Sequence, residues 1–224
     1  MKTIPQSPQS PLENVETLML DMDGTLLDLA YDNYMWLEHI PRCYAIENNM
    51  PHEDARQLLA DKFALAQGNL RWYCLDHWSE DLGIDVVQLH HDASNKIEFL
   101  PGALEFLKHV CGEKLHVLLV TNSHRETLNL KDAVTGLCDY FDGIHSSHDY
   151  GHAKENQAYW KALQDEVGFD PTTTLFVDDS SYVLRSAQKF GIESLLKVTQ
   201  PDTRVAAKNS SEFSGIRSVA DILR

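Results

Sequence analysis

The stretch TLMLDMDGT, residues 17–25, decides the fold. Thr17-Leu18-Met19-Leu20 runs straight into a polar turn, Asp21-Met22-Asp23-Gly24-Thr25. A short run without strict alternation suits a strand buried on both faces, as in a parallel sheet. Similar runs recur as VLLV at 117–120, TLFV at 174–177 and LLKV at 195–198, with GIH at 143–145 a weaker fifth. Amphipathic stretches lie between them: Ala103, Leu104, Leu107, Val110 and Cys111 share one helical face, and matching patterns cover 155–167 and 181–190. Strand–helix alternation of this kind predicts an α/β fold, a parallel sheet with helices on its faces.

One segment breaks the alternation. Residues 29–99 contain no strand pattern, and a single crossover does not need so much helix. Ala55, Leu58, Leu59, Phe63 and Ala66 form an apolar stripe beginning soon after Pro51, residues 70–82 read as a second helix ended by Gly83, and 86–93 as a third. The expected division is therefore a polar tail at 1–14, an α/β core formed by 15–28 and 100–224, and a helical insert at 29–99 over the sheet's edge.

A chain of 224 residues suits one domain with an insert, at roughly 100–200 residues per domain, and can bury a core without disulfides or a structural metal. Its 34 acidic and 19 basic side chains give a net charge of −15. Such a surface repels the phosphates of nucleic acid and of anionic membranes. A small phosphate ester is compatible, because a metal ion and a lysine suffice to make a local positive site. Cys43, Cys74, Cys111 and Cys138 lack the short spacing of a zinc or redox motif and read as buried apolar residues. The first residues carry no apolar stretch of signal-peptide type, and no run spans a membrane, so the cytoplasm is the default address.

Polar residues end several of the strand patterns: Asp21 to Thr25, then Thr121-Asn122-Ser123, then the loop reaching Lys154, then Asp178-Asp179-Ser180. Ligands of open parallel sheets bind outside the carboxyl ends of the strands, so the fold reading brings these segments together. Read alone, Asp-x-Asp-Gly-Thr is also a common helix cap and turn; the ordered set is far more specific. In order and spacing, Asp21-x-Asp23-Gly24-Thr25, Thr121, Lys154 and Asp178-Asp179 resemble the haloacid dehalogenase superfamily, over the whole core, and the insert corresponds to that family's first type of cap. Residues 26–41 (LLDLAYDNYMWLEHIP), 72–83 (WYCLDHWSEDLG) and the segment TLFVDDS are similar to the bacterial purine 5′-nucleotidases that hydrolyse GMP and IMP.

That resemblance implies a phosphomonoesterase. Asp21 is expected to attack phosphorus and form an aspartyl-phosphate. Asp23 is expected to protonate the leaving oxygen and then deprotonate water. The Thr121 hydroxyl, the amide N–H groups of Met22, Asp23 and Asn122, and the Lys154 ammonium would hold the phosphoryl oxygens. Carboxylates gathered round a phosphate call for Mg²⁺, which the family holds through the Asp21 carboxylate, the Asp23 carbonyl and an acid of the fourth strand. Aligning Ser180 and Ala187 with the family pattern favours Asp179 as that ligand, with Asp178 behind it or alternating with it. The sequence departs from the family at Glu155, where the lysine is usually followed by proline, which makes the role of Lys154 the less secure one.

Among other polar residues, His145, His148 and His152 read as exposed, with no cluster of soft ligands beside them, and His90-His91-Asp92 as a polar helix face. Of Tyr34, Trp36, Trp72, Tyr73 and Trp78, packing is expected to claim most, leaving one or two to touch a base. Asp76 and Glu80 read as solvated, with acceptance of a purine N1–H as their alternative. The expected partner is a small nucleotide. Rival readings are a phosphosugar phosphatase or mutase with the same core, a dehalogenase, for which the acid/base Asp23 is superfluous, and a regulatory module that has lost catalysis.

Overall fold

The computed structural model describes residues 11–223. The tail expected at 1–14 lies mostly outside the described residues; 11–14 form a turn. Strand β1 (Thr17–Leu20) is followed by α1 (Ala30–Tyr34), a π-helical stretch (Met35–His39), α2 (Ile40–Glu47), α3 (His52–Ala66), α4 (Leu75–Leu82) and α5 (Val86–Asp92). Then come α6 (Ala103–Val110), β2 (His116–Thr121), α7 (Arg125–Thr135), β3 (Gly143–Ser146), α8 (Ser147–Tyr150), α9 (Gln157–Val167), β4 (Thr174–Asp178), α10 (Ser181–Phe190), β5 (Ser194–Val198) and β6 (Ser214–Ile216). The six strands form one sheet in the order β3-β2-β1-β4-β5-β6, and each neighbouring pair is parallel.

Alternate residues of a strand face opposite sides, and β1 uses both. Leu18 and Leu20 join a core with Leu119, Val177, Phe106 and Leu107 that continues into the helices between β1 and β2. Met19 points the other way, packing with Leu118, Val120 and Phe176 against Trp160 and Leu184 of α9 and α10. Burial on both faces explains why these strands show no alternation in sequence. The expected face of α6 shifts slightly: Ala103, Phe106, Leu107 and Val110 are buried while Cys111 is exposed.

The helices between β1 and β2 leave from the middle of the sheet, since β1 lies between β2 and β4. The chain entering the expected insert therefore leaves from an interior strand and not from an edge strand. The two ends of this insert are stitched together: Leu27 bridges Phe99, Asp28 N–H donates to Glu98 O at 2.9 Å, and Leu100 N–H donates to Leu26 O at 2.8 Å. The helix expected over 70–82 is broken. A 3₁₀ turn (Leu70–Tyr73) is separated from α4 by Cys74, which is extended at φ −89°, ψ 109°. Trp78 explains the kink, because its indole N–H caps the turn by donating to Trp72 O at 2.8 Å. Among the described residues no helix is long and apolar enough to cross a membrane.

His90 is not on a polar face. It is buried at 1% exposure, with Nδ1 2.8 Å from the Tyr31 hydroxyl, which also donates to the His90 carbonyl at 3.2 Å. Burial, with Lys131 nearby, pushes its pKa from 6.5 down to about 3. The unfolded chain therefore binds a proton between these values that the folded protein refuses, and stability falls as pH drops below about 6.5. From pH 7.5 to 5, His90 alone should withdraw about 2 kcal/mol of stability. His90→Asn should lower stability at pH 7.5 but flatten this acid slope in urea unfolding series; an unchanged slope would mean that His90 titrates normally.

Candidate active site

Parallel strands ending together deliver their next residues to one place. Asp21 continues the ladder beyond β1, donating its N–H to Val177 O at 3.0 Å, while Thr121 ends β2 and Asp178 ends β4. A cavity of about 180 Å³ is lined by Asp21, Asp23, Thr121, Asn122, Lys154, Asp178 and Asp179 from these ends, and by Trp36, Trp72, Tyr73 and Leu75 of the insert. The residues expected from sequence thus meet in one site. Met22 is the exception and does not line the cavity: its side chain is fully buried, and its carbonyl accepts the N–H groups of Leu26 and Leu27 at 2.9 Å.

Lys154 is the centre of the arrangement. It is 2% exposed, and its Nζ donates to Asp21 Oδ1 at 2.5 Å, Asp178 Oδ2 at 2.8 Å and the Val120 carbonyl at 3.0 Å. Burial works against its charge, but the two carboxylates outweigh burial and hold it protonated well above the ordinary lysine range. Glu155, standing where the family has proline, anchors the same loop. Its Oε2 accepts from Asn122 Nδ2 at 3.1 Å and its Oε1 from the Tyr73 hydroxyl at 2.8 Å, while Asn122 Oδ1 accepts the Lys154 backbone N–H at 2.9 Å. The departure from the family pattern fixes the lysine in place.

The acids fit a hard divalent cation. Carboxylate oxygens of Asp21, Asp178 and Asp179 lie within 4.8 Å of one another. Burial raises the pKa of all three, more than Lys154 offsets, so the cluster as it stands carries more negative charge than its surroundings stabilise. Asp178 has both oxygens engaged, Oδ2 by Lys154 and Oδ1 by the Ser180 N–H at 2.7 Å. Asp179 accepts no hydrogen bond among the described residues, which leaves its oxygens for a cation. An all-oxygen donor set of this kind suits Mg²⁺.

Two further residues of the site carry no signal in the sequence. Lys131 of α7 is 1% exposed and donates to Asp23 Oδ1 at 2.6 Å and to Asp32 Oδ1 and Oδ2 at 2.9 and 3.0 Å. Asp32, on α1 of the insert, also lines the cavity; burial and the Asp23 charge push its pKa up to about 6 against the pull of Lys131. Helix α7 lacks a clear apolar stripe, and Lys131 looks like any solvated lysine. The one available hint is its place four residues after Thr127, which is buried on the same face.

Other expectations meet mixed outcomes. Asp76 and Glu80 are exposed, as their solvated reading has it, and neither lines the cavity, which leaves their alternative role without a place there. Among the aromatics, Trp36, Trp72 and Tyr73 line it, whereas Trp78 is buried in the insert's core at 4.9 Å from Phe63 and Tyr34 stacks on His39 at 5.5 Å. His152 is exposed as expected, but His145 is buried, with Nδ1 2.7 Å from the Tyr150 hydroxyl, and His148 is half-buried. Cys74 and His124 lie beside His148, so soft ligands do cluster there. No cysteine is fully buried: Cys43, Cys74 and Cys138 are half-buried and Cys111 is exposed.

Residues 18–197 match the family described as haloacid dehalogenase-like hydrolase. The chain is 37% identical over 196 residues to the GMP/IMP nucleotidase YrfG of Escherichia coli (strain K12), covering 88% of each. Its fold superposes on a HAD phosphatase from Thermococcus onnurineus with a TM-score of 0.78 at 18% identity, covering 93% of this chain and 96% of that one. L-2-haloacid dehalogenase from Xanthobacter autotrophicus shares it with a TM-score of 0.65 at 17% identity, over 93% and 96% of the two chains. The chain belongs to the haloacid dehalogenase-like hydrolases.

Removing Lys131 tests the newly seen triad. Lys131→Met leaves Asp23 and Asp32 facing each other without a cation, and should cost about 3 kcal/mol at pH 7 in urea unfolding. Adding Asp32→Asn should recover part of that loss, because only one carboxylate then remains. A Lys131→Met protein as stable as the wild type would show that the triad carries no net stability.

Proposed function

We propose that the protein is a Mg²⁺-dependent phosphomonoesterase acting on purine nucleoside 5′-monophosphates, GMP and IMP, through an aspartyl-phosphate on Asp21. The observation that carries this reading is the Asp21 carboxylate, held by buried Lys154 just after β1 and lining a cavity that Trp36, Trp72 and Tyr73 also line. The relative that is 37% identical is a GMP/IMP nucleotidase.

Asp21 would attack phosphorus as the bond to the 5′ oxygen breaks, and Asp23 would give that oxygen its proton. Lys131 engages Oδ1 of Asp23 and so leaves Oδ2 to carry the proton. Water, deprotonated by Asp23, would then cleave the aspartyl-phosphate and restore both residues. The Thr121 hydroxyl, the amides of Met22, Asp23 and Asn122, and the Lys154 ammonium would hold the phosphoryl oxygens throughout. Asp21, Asp179 and the Asp23 carbonyl, with Asp178 behind them, would hold Mg²⁺, which would supply neutralising charge for the phosphoryl oxygens. Residues 29–99, with their stitched ends, would act as the cap that closes over the leaving group.

A second cavity of about 720 Å³ shares Trp72, Tyr73 and Ser180 with the first. In this reading the phosphate would lie in the first cavity and the nucleoside would extend toward the second. The first cavity alone, about 180 Å³, suits a phosphosugar, which is the competing reading. GMP and IMP share an N1–H donor and an O6 acceptor, where AMP presents the reverse. A polar site built for the first pair rejects the second, by up to roughly 10⁴-fold at the extreme. Stacking contributes about 1–3 kcal/mol per base but does not separate purines. With Asp76 and Glu80 outside the cavity, this discrimination falls to residues that line the two cavities.

The deciding experiment is phosphate release from a panel of nucleotides and sugar phosphates with Mg²⁺. GMP and IMP should be hydrolysed best, AMP poorly and pyrimidine nucleotides worse. Sugar phosphates outpacing GMP, or AMP matching it, would remove the nucleotidase reading and leave the phosphatase one. Asp21→Asn should abolish turnover of every substrate while the circular dichroism stays native, since an amide cannot form the acyl phosphate; more than a few per cent of residual activity would exclude Asp21 as nucleophile. Excess chelator should silence the enzyme and Mg²⁺ should restore it, whereas full activity in chelator would remove the metal assignment.

A further inference from the structure

The insert meets the core at a second cluster of ligating side chains, different in kind from the first. Cys74 sits at the break before α4, His124 immediately precedes α7, and His148 lies on α8 after β3. One ligand atom from each lies within 4.8 Å of the other two. The rings of His124 and His148 meet edge to face with centroids 4.9 Å apart. His148 Nε2 is buried and has no hydrogen-bond partner among the described residues, although the Tyr73 carbonyl faces the ring. His124 Nδ1 accepts only a long contact, 3.4 Å, from the Glu126 N–H, and Asp76 Oδ2 stands 3.7 Å from His124 Nε2.

A thiol and two imidazoles form few hydrogen bonds with one another, and leaving an imidazole nitrogen buried without a partner is unfavourable. Together they make a donor set for a borderline-soft cation, with a fourth position for Asp76 or water. The oxygen cluster of Asp21, Asp178 and Asp179 prefers a hard ion, so the two clusters differ in the metal they select.

We propose that Cys74, His124 and His148 form a binding site for Zn²⁺ or a similar borderline-soft divalent cation, which clamps the insert to the core at the mouth of the active-site cavity. Cys74 belongs to the insert while both histidines belong to the core, so the ion ties the two together. Tyr73, next to Cys74, and His124 both line that cavity, so a loaded clamp fixes that part of the cavity wall. Binding releases the Cys74 thiol proton to solvent and leaves a thiolate on the ion.

Titration calorimetry of the full chain with Zn²⁺, in saturating Mg²⁺ to fill the oxygen cluster, should show one-to-one binding. The Cys74→Ser/His148→Gln double variant should lose affinity by more than the roughly 10–100-fold that follows loss of an outer hydrogen-bond partner of a metal ligand. Co²⁺ should give the wild type a thiolate-to-metal charge-transfer band that Cys74→Ser lacks. Zn²⁺ should raise the melting temperature of the wild type and not of the double variant. Native circular dichroism and retained Mg²⁺-supported activity of Cys74→Ser without Zn²⁺ would show that the losses come from the missing ligand. Equal Zn²⁺ affinity or an equal melting rise in wild type and double variant, absence of the one-to-one event, or a cobalt spectrum without the thiolate band would overturn the site.

Discussion

Everything at the carboxyl ends of the strands depends on one buried ammonium. Asp21 and Asp178 end neighbouring strands, so the fold forces their carboxylates together in a region with little solvent. Without Lys154 that proximity would be prohibitive, because breaking a buried pair by removing one partner costs several kcal/mol. With it, each carboxylate gains a charged donor at 2.5 to 2.8 Å. The lysine's third bond, to the Val120 carbonyl, reaches β2 as well. Nζ therefore touches groups from three adjacent strands and reads their alignment. A slip in the sheet would misplace the charge, and a misplaced charge would open the sheet.

The same logic repeats one layer up. Lys131, from α7, separates Asp23 of the core from Asp32 of the insert, so one cation lies on the boundary between the two. Beside it, Glu155 joins Tyr73 of the insert to Asn122 of β2's end, and Asn122 in turn holds the backbone of Lys154. Elsewhere Asn33 of the insert donates to Asp202 at 2.8 Å. Polar contacts around the cavity thus add to the apolar core that residues 29–99 share with the sheet, while Trp36, Phe63, Trp72 and Trp78 pack together within the insert. Apolar packing makes a body rigid; polar contacts at its rim can exchange with water at modest net cost.

What the sequence shows and hides follows from the same physics. Strands buried on both faces leave unbroken apolar runs, so β1, β2 and β4 are legible, while β5, only partly buried, and the short β3 show weaker runs. Strand β6, Ser-Gly-Ile at the sheet's edge and largely exposed, buries too little to require an apolar run and leaves no trace. Asp21, Asp23, Thr121, Lys154, Asp178 and Asp179 are legible because they stand at or soon after strand ends in an order that resembles a known family. Lys131 and Asp32 are not, because their meeting depends on how the insert sits upon α7, a tertiary fact with no local pattern. His90 fails for a related reason: a histidine between polar neighbours reads as surface, and only the facing Tyr31 hydroxyl, far away in sequence, makes its burial tolerable. The cluster of Cys74, His124 and His148 draws on three separate segments at long spacings, which is why no metal motif announces it.

The contiguity of Asp21-Met22-Asp23-Gly24 has a steric origin that sequence reading assigns to the turn alone. Gly24 has φ +81°, a value glycine adopts without strain. Its conformation is only half the constraint. A Cβ at this position would stand 2.9 Å from the Asp179 carboxylate and 2.9 Å from Pro201, where Gly68, Gly83 and Gly136, also at positive φ, have nothing within 4 Å. The glycine lets the acid that follows β4 lie directly against the turn that follows β1. That close approach brings Asp179 within ligand distance of Asp21 while Lys154 occupies Asp178. The two motifs, more than a hundred residues apart in the chain, are therefore a single packed object, and a side chain at position 24 would separate its halves before it disturbed any backbone hydrogen bond.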